Sequence, residues 1–310
     1  MHIAITGGTG FVGSHLAQVL VSEGHHVVLI ARRSRNLAFP NATFLSSNLS
    51  DPAQIARAFT GCDAVAHCAG INREIGDQTY ERVHVLATRN VVEAAQKAGV
   101  RKIVLLSFLR ARPDCASAYH ESKWEAEEIV RNSGLDYTIF KSGMIYGRGD
   151  HMLDHLSHAF HTLPILPTVG LRAKPIRPLA IEDLVRVLQA ALVEEKLSRQ
   201  TVAITGAEEL LLAHAARRVA MLLHKKPLIF PLPIWMHYFA ARIFEFTMKV
   251  PLVARAQVRI LSEGVVEPWG RVDSLPADLQ PKSCFTPDVI ARGLPDPGPF
   301  TLHDLRCCFE

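Results

Sequence analysis

The glycine-rich stretch at residues 3–13, Ile-Ala-Ile-Thr-Gly-Gly-Thr-Gly-Phe-Val-Gly, constrains the fold more than any other part of the chain. An apolar run that predicts a strand leads straight into a glycine turn, and a segment with apolar residues at helical spacing follows. This order predicts the strand–turn–helix start of a dinucleotide-binding βαβ unit, with a merely tight turn as the alternative. Gly7 permits the turn, Gly10 lets the backbone approach a pyrophosphate, and Gly13 lets the helix pack close to the strand. The helix N-terminus then offers free N–H groups and a partial positive charge to phosphates.

Strand and helix patterns alternate through the first half of the chain, as a parallel doubly wound sheet requires. After Gly149 the pattern changes to helices separated by proline-rich joints, with one clear strand at 201–205. The sequence therefore predicts an α/β fold, a Rossmann doubly wound parallel sheet with a smaller C-terminal substrate-side lobe. We place the Rossmann domain at 1–150 and the lobe at 151–310, with some exchange of segments between them. The predicted strands of the first half are 27–31, 42–45, 63–68, 102–107 and 137–141, and its long helices are 79–98 and 118–132.

The composition is that of an ordinary globular protein. Of the 310 residues, 48% are hydrophobic and 21% are charged, which argues against disorder, and a net charge of +4 gives no argument for nucleic-acid binding. The six cysteines show no CxxC spacing, so we expect a reduced, cytoplasmic compartment and no zinc site. Because the first predicted strand begins at residue 3, we expect no signal or transit peptide.

Tyr119 and Lys123 lie one turn apart on the helix predicted after the fifth strand. A phenol with a pKa near 10 is a poor base at neutral pH, and a neighbouring ammonium favours the phenolate and lowers that pKa. The pair would act as an acid/base on an alcohol or carbonyl, and the lysine can also reach the ribose hydroxyls of a cofactor. A solvated pair on a helix surface is the alternative. The glycine turn at the start of the chain favours the catalytic interpretation.

The end of the second strand indicates which cofactor is preferred. Enzymes that prefer NAD place an acid there to hold the ribose 2′-hydroxyl, whereas an arginine accommodates the 2′-phosphate of NADP. Here Arg32 and Arg33 follow the strand, Arg35 comes shortly after, and there is no acid. An arginine offers a bidentate fork to a phosphate, so we expect NADP(H) to be favoured over NAD(H), with a basic surface loop as the alternative.

Several stretches together resemble the extended and atypical short-chain dehydrogenase/reductase superfamily, which includes NAD(P)-dependent epimerases and dehydratases. Within it, residues 1 to about 225 are most similar to atypical members related to the nucleotide-binding accessory subunit of respiratory complex I. The stretches are TGGTGFVG at 6–13, DAVAHCAG at 63–70, IVLLS at 103–107, YHESK at 119–123 and GMIYG at 143–147.

The resemblance implies a Rossmann fold, NAD(P) binding and, for many members, hydride transfer, epimerisation or dehydration. It assigns the catalytic roles to Tyr119 and Lys123; to these we add Ser107 as a candidate hydroxyl donor. The residues that it implies at the cofactor are Gly7, Gly8, Thr9, Gly10, Phe11, Val12, Gly13, Arg32, Arg33, Asn48, Leu49, Cys68, Ala69, Gly70 and Lys123.

The chain departs from the family pattern at several positions. Leu109 stands where extended members place a catalytic Ser or Thr, so Ser107 or Ser117 would have to supply the hydroxyl. His84 stands where an Asn is common, and Asn48 where an Asp commonly faces the adenine. Lys141-Ser142 replaces the frequent Arg-Pro. These differences leave the cofactor site intact and fall on the half of the site that polarises the substrate.

Three further features have two interpretations each. His151, His155 and His158 imitate a metal-binding helix face, but without cysteines or an HExxH core we expect solvated or packing histidines and no metal. Residues 228–254 form either a lobe over a substrate pocket or a helix on a membrane surface; charges interrupt the ~20 apolar residues that a span needs. Arg177 binds an anionic substrate group or is a plain surface charge.

Two functions from different classes follow. The favoured one is an NADP-dependent oxidoreductase or epimerase of the short-chain type, acting on a small-molecule substrate; an apolar or lipid-linked one would account for the apolar segment. The other is a protein that holds NADPH without turnover and associates with a partner complex. We expect a cytoplasmic protein that either stays free of the inner membrane or touches its surface.

Overall fold

The computed structural model of the chain describes residues 1–34, 40–248, 252–296 and 298–301. Its first half contains β1 (His2–Thr6), α1 (Phe11–Ser22), β2 (His26–Ala31), β3 (Ala42–Ser46), α2 (Pro52–Phe59), β4 (Ala64–His67), a π-helical segment (Glu81–Leu86), α3 (Ala87–Ala98), β5 (Lys102–Phe108), α4 (Ala118–Arg131), β6 (Asp136–Ser142) and β7 (Ile145–Tyr146). Its second half contains α5 (His151–Thr162), β8 (Ile165–Val169), β9 (Pro175–Ile176), β10 (Leu179–Ala180), α6 (Ile181–Val193), β11 (Gln200–Ile204), β12 (Leu210–Leu211), α7 (Leu212–Leu222), β13 (Leu228–Leu232), α8 (Ile234–Thr247), α9 (Arg255–Glu263), a 3₁₀ turn (Ala277–Leu279) and α10 (Pro287–Gly293).

A seven-stranded parallel sheet is the centre of the fold. Its strands lie in the order β3-β2-β1-β4-β5-β6-β11. The strand order reverses between β1 and β4, which is the switch point where doubly wound sheets bind their ligands. The predicted Rossmann-type α/β fold is confirmed.

The strands at the centre of this sheet are buried on both faces, as their nearly continuous apolar sequences require. β1 and β4 contain almost only buried side chains. Helix α3 packs against both α2 and α4, and α1 packs against α6. A core cluster that includes Ile55, Phe59 and Val91 fills the space under α2 and α3.

The chain divides into two compact units. The first unit consists of residues 1–142, 181–204 and 268–280, and the second consists of 143–180, 205–267 and 281–310. The sequence analysis places the boundary at residue 150 with segments exchanged afterwards; the structure divides the chain at 142 and returns two later segments to the first unit. One of these is the strand predicted at 201–205, which is β11 and pairs with β6.

In its described residues the second unit has three small two-stranded sheets, β7 with β10, β8 with β13, and β9 with β12. α5 and α10 both pack against α7. Tyr146 and Phe285 meet edge-on with ring centres 4.8 Å apart, and the Tyr146 hydroxyl donates to the Cys284 carbonyl at 3.1 Å. Gly206 lies so close to Pro178 that a Cβ atom would stand 1.8 Å from its carbonyl oxygen. Within the described ranges, no helix is both long and apolar enough to cross a bilayer.

A charged pair is buried in the first unit, between α4 and β6. Glu127 and Lys141 are both almost fully buried, and the Lys141 ammonium lies 3.1 Å from the Glu127 carboxylate. Lys141 also donates to the Ala111 carbonyl at 3.0 Å, and Arg131 pairs with the same carboxylate at 2.8 Å. Burial lowers the pKa of Lys141, and the Glu127 charge opposes that shift. Such a pair depends on both partners, because removing one leaves a buried charge without its counterpart.

We predict that Lys141→Met lowers the free energy of unfolding by about 3 kcal/mol, since it removes the buried ammonium that lies 3.1 Å from the buried Glu127 carboxylate and leaves that carboxylate without this partner. Urea unfolding followed by circular dichroism measures the change. Lys97→Met is the matched control, because Lys97 pairs with Glu93 at 2.6 Å on the surface of α3, where such pairs contribute less than about 1 kcal/mol. Equal losses in the two variants would contradict the prediction.

Candidate cofactor and active site

The glycine turn after β1 is packed so closely that only glycine fits. Gly7 has a positive φ of 69°, and a Cβ there would stand 2.8 Å from the Ala69 Cα. A Cβ at Gly13 would stand 2.3 Å from the Gly7 carbonyl oxygen. The Gly7 amide donates to the Ile30 carbonyl at 2.8 Å, which fixes the turn between β2 and the loop after β4. Contacts below 3 Å exclude any side chain, so the structure needs these glycines for the reason the sequence suggests.

The first turn of α1 is open to a ligand. Gly10 caps the helix without a side chain, and no acidic residue stands in the first turn. The amides of Phe11, Val12 and Gly13 therefore point out of the helix start with no capping side chain to accept their hydrogen bonds. A pyrophosphate fits such a site, because the amides donate to it and the helix dipole favours its negative charge.

The ends of β2 and β3 lie next to this turn. Arg32 and Arg33 follow β2 directly and are exposed, and the Thr9 hydroxyl donates to the Arg33 carbonyl at 3.4 Å. The Asn48 side chain accepts from the backbone and the hydroxyl of Ser50 at 3.1 and 2.6 Å. Leu49, in contrast, is buried. The residues predicted to hold a 2′-phosphate thus lie at the ligand-facing edge of the sheet; Arg35 falls outside the described residues.

The segment after β4 completes the candidate dinucleotide site, which we call the cradle: the glycine turn, the start of α1 and this segment. The Cys68 amide donates to the Thr6 carbonyl at 3.1 Å, and Ala69 is the residue that leaves no room at Gly7. Burial raises the pKa of the Cys68 thiol to about 12, so it stays protonated. Gly70 comes next, and a Cβ there would stand 3.1 Å from the Lys123 ammonium. The predicted catalytic lysine is therefore adjacent to the predicted cofactor loop.

A buried chain of hydrogen bonds connects β1 to the helix before β5. His67 lies between two hydroxyls, with Nδ1 2.5 Å from Thr6 Oγ1 and Nε2 2.9 Å from Thr88 Oγ1. Thr88 donates its own proton to the His84 carbonyl at 2.5 Å, so it accepts from His67 Nε2 and Thr6 donates to Nδ1. Burial, helped by the Lys123 charge, lowers the pKa of His67 to about 3. The histidine is neutral and structural.

The sequence predicts one helix over 79–98, but the structure begins it with a π-helical segment at Glu81–Leu86. The wider turn puts Tyr80 and His84 side by side with their rings stacked at 5.5 Å. π-Helical segments inside helices occur often at functional sites, because they change the direction in which side chains point. Apolar periodicity alone carried no signal for it.

His84 is a site residue whose role the sequence analysis missed. The Ile71 amide donates to its Nε2 at 3.2 Å, so the proton is on Nδ1, which donates to the Ser122 hydroxyl at 2.9 Å. Ser122 in turn donates to the Tyr119 carbonyl at 3.1 Å. Burial, followed by the charge of Lys123, holds the pKa of His84 well below its usual value. The neutral imidazole thereby ties the loop after β4 to the helix that carries Tyr119.

Tyr119 lies in an aromatic cluster at the start of α4. Its ring centre is 5.5 Å from Tyr80, 5.8 Å from His84 and 5.3 Å from Phe108. Burial raises the pKa of Tyr119, and the charge of Tyr80 raises it further. The expected direction is therefore wrong, because the phenol is buried among aromatic rings. Tyr119 is a phenol that keeps its proton at neutral pH.

Lys123 follows one turn later. Its ammonium donates to the Leu106 carbonyl at 3.3 Å, at the carboxyl end of β5. Burial lowers its pKa to about 8, and the negative charge of Glu127 opposes that shift. Tyr119 and Lys123 are thus on the same helix, at the edge where the glycine turn and Gly70 lie.

The candidate hydroxyls for polarising a substrate are already hydrogen-bonded. Ser107 donates to the Glu127 carboxylate at 2.5 Å, and Ser117 hydrogen-bonds to His120 at 2.7 Å. Leu109 is fully buried, with its amide donating to Ser142 and its carbonyl accepting from Trp269. To act as the predicted hydroxyl donor, Ser107 would have to break its hydrogen bond to Glu127 and donate to the substrate instead.

The remaining candidates lie in the second unit. His155 hydrogen-bonds to the Leu252 carbonyl, and His158 lies 3.4 Å from Asp154 on the same helix. Among the described residues, no cluster of three possible ligands is arranged to hold a metal ion. Arg177 pairs with Glu209 at 3.1 Å, which agrees with its interpretation as a surface charge.

Residues 7–155 match the model of a family described as NAD(P)H-binding. An uncharacterized protein of Mycobacterium tuberculosis is 26% identical over 253 residues, which are 82% of this chain; the chain spans only 27% of that relative's length. NADH dehydrogenase (ubiquinone) 1 alpha subcomplex subunit 9 of mouse mitochondria is 24% identical over 263 residues, 82% of this chain and 70% of the subunit. Ceramide reductase of Caulobacter vibrioides is 30% identical over 184 residues, 58% of this chain and 57% of the reductase.

Solved structures share the fold. UDP-glucuronic acid 4-epimerase from Bacillus cereus, solved with UDP-glucuronic acid and NAD, superposes with a TM-score of 0.71 at 18% identity. The match covers 94% of this chain and 97% of the epimerase. At this identity the likeness supports the architecture and leaves the substrate open.

We predict that Gly13→Ala weakens NADPH binding about ten-fold and destabilises the protein by about 1–3 kcal/mol, because the new Cβ forces α1 away from the Gly7 carbonyl. Calorimetric titration with NADPH and thermal unfolding measure the two effects. Ser14→Ala, at the next residue of the same helix, is the matched control. A Gly13→Ala protein that behaves like this control would show that the turn tolerates a side chain and is not a close-packed cradle.

Proposed function

We propose that the chain binds NADP(H) and reduces or oxidises a small-molecule substrate with Tyr119 and Lys123, because residues 7–155 match the model of a family described as NAD(P)H-binding. One observation carries this proposal. Lys123 lies against Gly70, in the loop whose Ala69 touches Gly7 of the glycine turn. The acid/base pair and the dinucleotide cradle therefore occupy one edge of one sheet, which is where this fold class does its chemistry.

The residues present fit the cofactor. The amides at the start of α1 would hold the pyrophosphate, and Lys123 would hold the ribose hydroxyls. Arg32 and Arg33 would hold a 2′-phosphate, because they are exposed at the end of β2 and no carboxylate stands there to repel it. A guanidinium recognises a phosphate through paired hydrogen bonds, which supports NADP(H) over NAD(H).

Tyr119 is best suited to donate a proton. A phenol whose pKa is raised stays protonated at neutral pH and can give its proton to a carbonyl oxygen as negative charge develops there. The Lys123 ammonium, with a pKa of about 8, is mostly charged at neutral pH and would stabilise that negative charge. When bound, the nicotinamide supplies the hydride. The raised pKa favours the reducing direction of the reaction.

The second candidate function is a protein that holds NADPH without turnover. Three observations support it. Leu109 is buried at the position where extended family members place a catalytic Ser or Thr. Ser107 donates its hydrogen bond to the Glu127 carboxylate, and the pKa of Tyr119 is raised. None of these affects the cradle, so binding without hydride transfer is physically consistent. The likeness to a subunit of mitochondrial NADH dehydrogenase points in the same direction and would imply a stable partner complex.

For the enzyme, we propose a substrate with an apolar or lipid-linked body. The likeness to a ceramide reductase and the apolar character of residues 228–248 support this choice. The carbonyl or hydroxyl that reacts would lie against Tyr119. Such a substrate is compatible with a cytoplasmic protein that works at the inner surface of a membrane.

We predict that Arg32→Asp weakens NADPH binding at least ten-fold and leaves NADH binding unchanged or stronger, since a charge-assisted hydrogen bond to the 2′-phosphate is replaced by repulsion. Calorimetric titrations with both cofactors at one ionic strength measure the ratio. Arg57→Gln, which alters an exposed arginine in the last turn of α2, controls for the loss of a positive charge. An unchanged ratio of the two affinities in Arg32→Asp would rule out the assignment.

We predict that Tyr119→Phe slows hydride transfer at least 100-fold and leaves the Kd for NADPH unchanged, because the phenol donates a proton and does not hold the cofactor. NADPH labelled with deuterium at C4 is incubated with a panel of long-chain ketones and lipid-linked carbonyl compounds, and mass spectrometry locates the label. Tyr137→Phe, on β6, is the control.

The same experiment separates the two functions. Label that reaches a product with the unaltered protein, and does so less with Tyr119→Phe, supports the enzyme. Label that stays on NADPH across the panel, although NADPH binds, supports the holding protein. Failure to bind either cofactor would overturn both.

A further inference from the structure

Helix α8 carries its apolar side chains on the outside. Trp235, Phe239 and Phe246 are 68%, 67% and 81% exposed. At 100° per residue these positions lie on one side of the helix. His237 and Ala241 are on the opposite side and are buried, and His237 hydrogen-bonds to the Thr168 carbonyl at 3.0 Å. A surface helix normally presents its polar side to solvent, so α8 is reversed.

The exposed apolar surface extends beyond these three aromatic residues. Ile234, Met236 and Ile243 are also exposed on α8. Leu171 is 69% exposed in the loop after β8. Ile234 lies beside Gly170 of the same loop, since a Cβ on Gly170 would stand 3.5 Å from the Ile234 side chain. We call this surface the α8 face; it consists of Leu171, Ile234, Trp235, Met236, Phe239, Ile243 and Phe246. A contiguous apolar surface of this kind marks a site of interaction.

Exposed cations lie on α8 and in other segments of the same unit. Arg242 lies on the same side of the helix as the aromatic residues, and Arg172 follows Leu171. Lys174, Lys225 and Lys226 are exposed in the segments that adjoin β9 and β13. Among the described residues, none of these five cations forms an ion pair.

Three glutamates of the same unit are paired with arginines outside the α8 face. Glu208 pairs with Arg218, Glu209 with Arg177, and Glu245, on α8 itself, with Arg255. Positive charge is therefore left over at the apolar surface, and a partner that complements it carries negative charge.

We propose that the α8 face binds the surface of a lipid bilayer that contains anionic lipids. Tryptophan and phenylalanine on one side of a helix enter the boundary between headgroups and acyl chains, and an arginine among them reaches up to the phosphates. The 14 residues of α8 are too few to span a bilayer, so the helix lies in the plane of the surface. The exposed lysines of the same unit add attraction to an anionic surface and none to a neutral one.

The test is binding of the full chain to vesicles. Sedimentation with vesicles of phosphatidylcholine alone is compared with an equal mixture of phosphatidylcholine and phosphatidylglycerol, at low and at high salt. We expect binding to the mixture, with little to phosphatidylcholine alone, and weakening by salt because the attraction to the surface is screened.

Two variants test the α8 face. Trp235→Ser combined with Phe246→Ser should abolish binding, and Arg242→Gln should weaken it about five-fold, the effect of one cation near an anionic surface. Phe44→Ser and Arg57→Gln, at exposed positions of the other unit, are the matched controls and should bind like the unaltered protein. Circular dichroism melts of each variant show that it is folded.

Other outcomes overturn the proposal. A protein that stays in the supernatant with both kinds of vesicle does not bind bilayers through the α8 face. Equal losses in the control variants would place the binding elsewhere. A dimer in solution that dissociates in Trp235→Ser/Phe246→Ser, without vesicle binding, would mean that a second copy of the chain covers the α8 face.

Discussion

The candidate site depends on one buried imidazole. His67 stands in the sheet between the hydroxyls of Thr6 and Thr88, and Thr88 bonds to the carbonyl of His84. All four residues are almost inaccessible to water, so each polar atom must find its partner within the protein. Thr6 is the last residue before the glycine turn, and His84 contacts the helix of Tyr119 through Ser122. The glycine turn and Tyr119 are therefore connected by hydrogen bonds that are buried in the protein.

Much of the fold was predictable because it is encoded locally. Buried parallel strands have continuous apolar sequences, and helix ends and glycine turns have their own residue preferences, so β1 to β6 are close to their predicted positions. The spacing of Tyr119 and Lys123 is a property of a single helix. The steric roles of Gly7 and Gly13 also follow from a local motif, and the structure supplies the distances behind them.

The features that could not be predicted are held by contacts distant in sequence. β11 belongs to the main sheet because it pairs with β6, and residue 273 bonds to Thr201, although nothing periodic marks the segment 268–280. The π-helical segment interrupts a pattern that reads as continuous helix. The pKa of Tyr119 moves opposite to expectation because Tyr80 and Phe108 surround the phenol, and neither is near it in the sequence. Local patterns give element types, whereas burial and pairing need the assembled chain.

The first unit is closed by segments that are synthesised late. Its last strand, β11, ends at Ile204, and residues 268–280 complete the unit. While the chain is being made, β6 has only one neighbour, and its free edge presents unpaired amides and carbonyls for more than fifty residues of synthesis. The first unit thus has no complete form in a chain cut after residue 150. Its folding waits for distant parts of the sequence, and the open edge of β6 is where a nascent chain would associate wrongly with another.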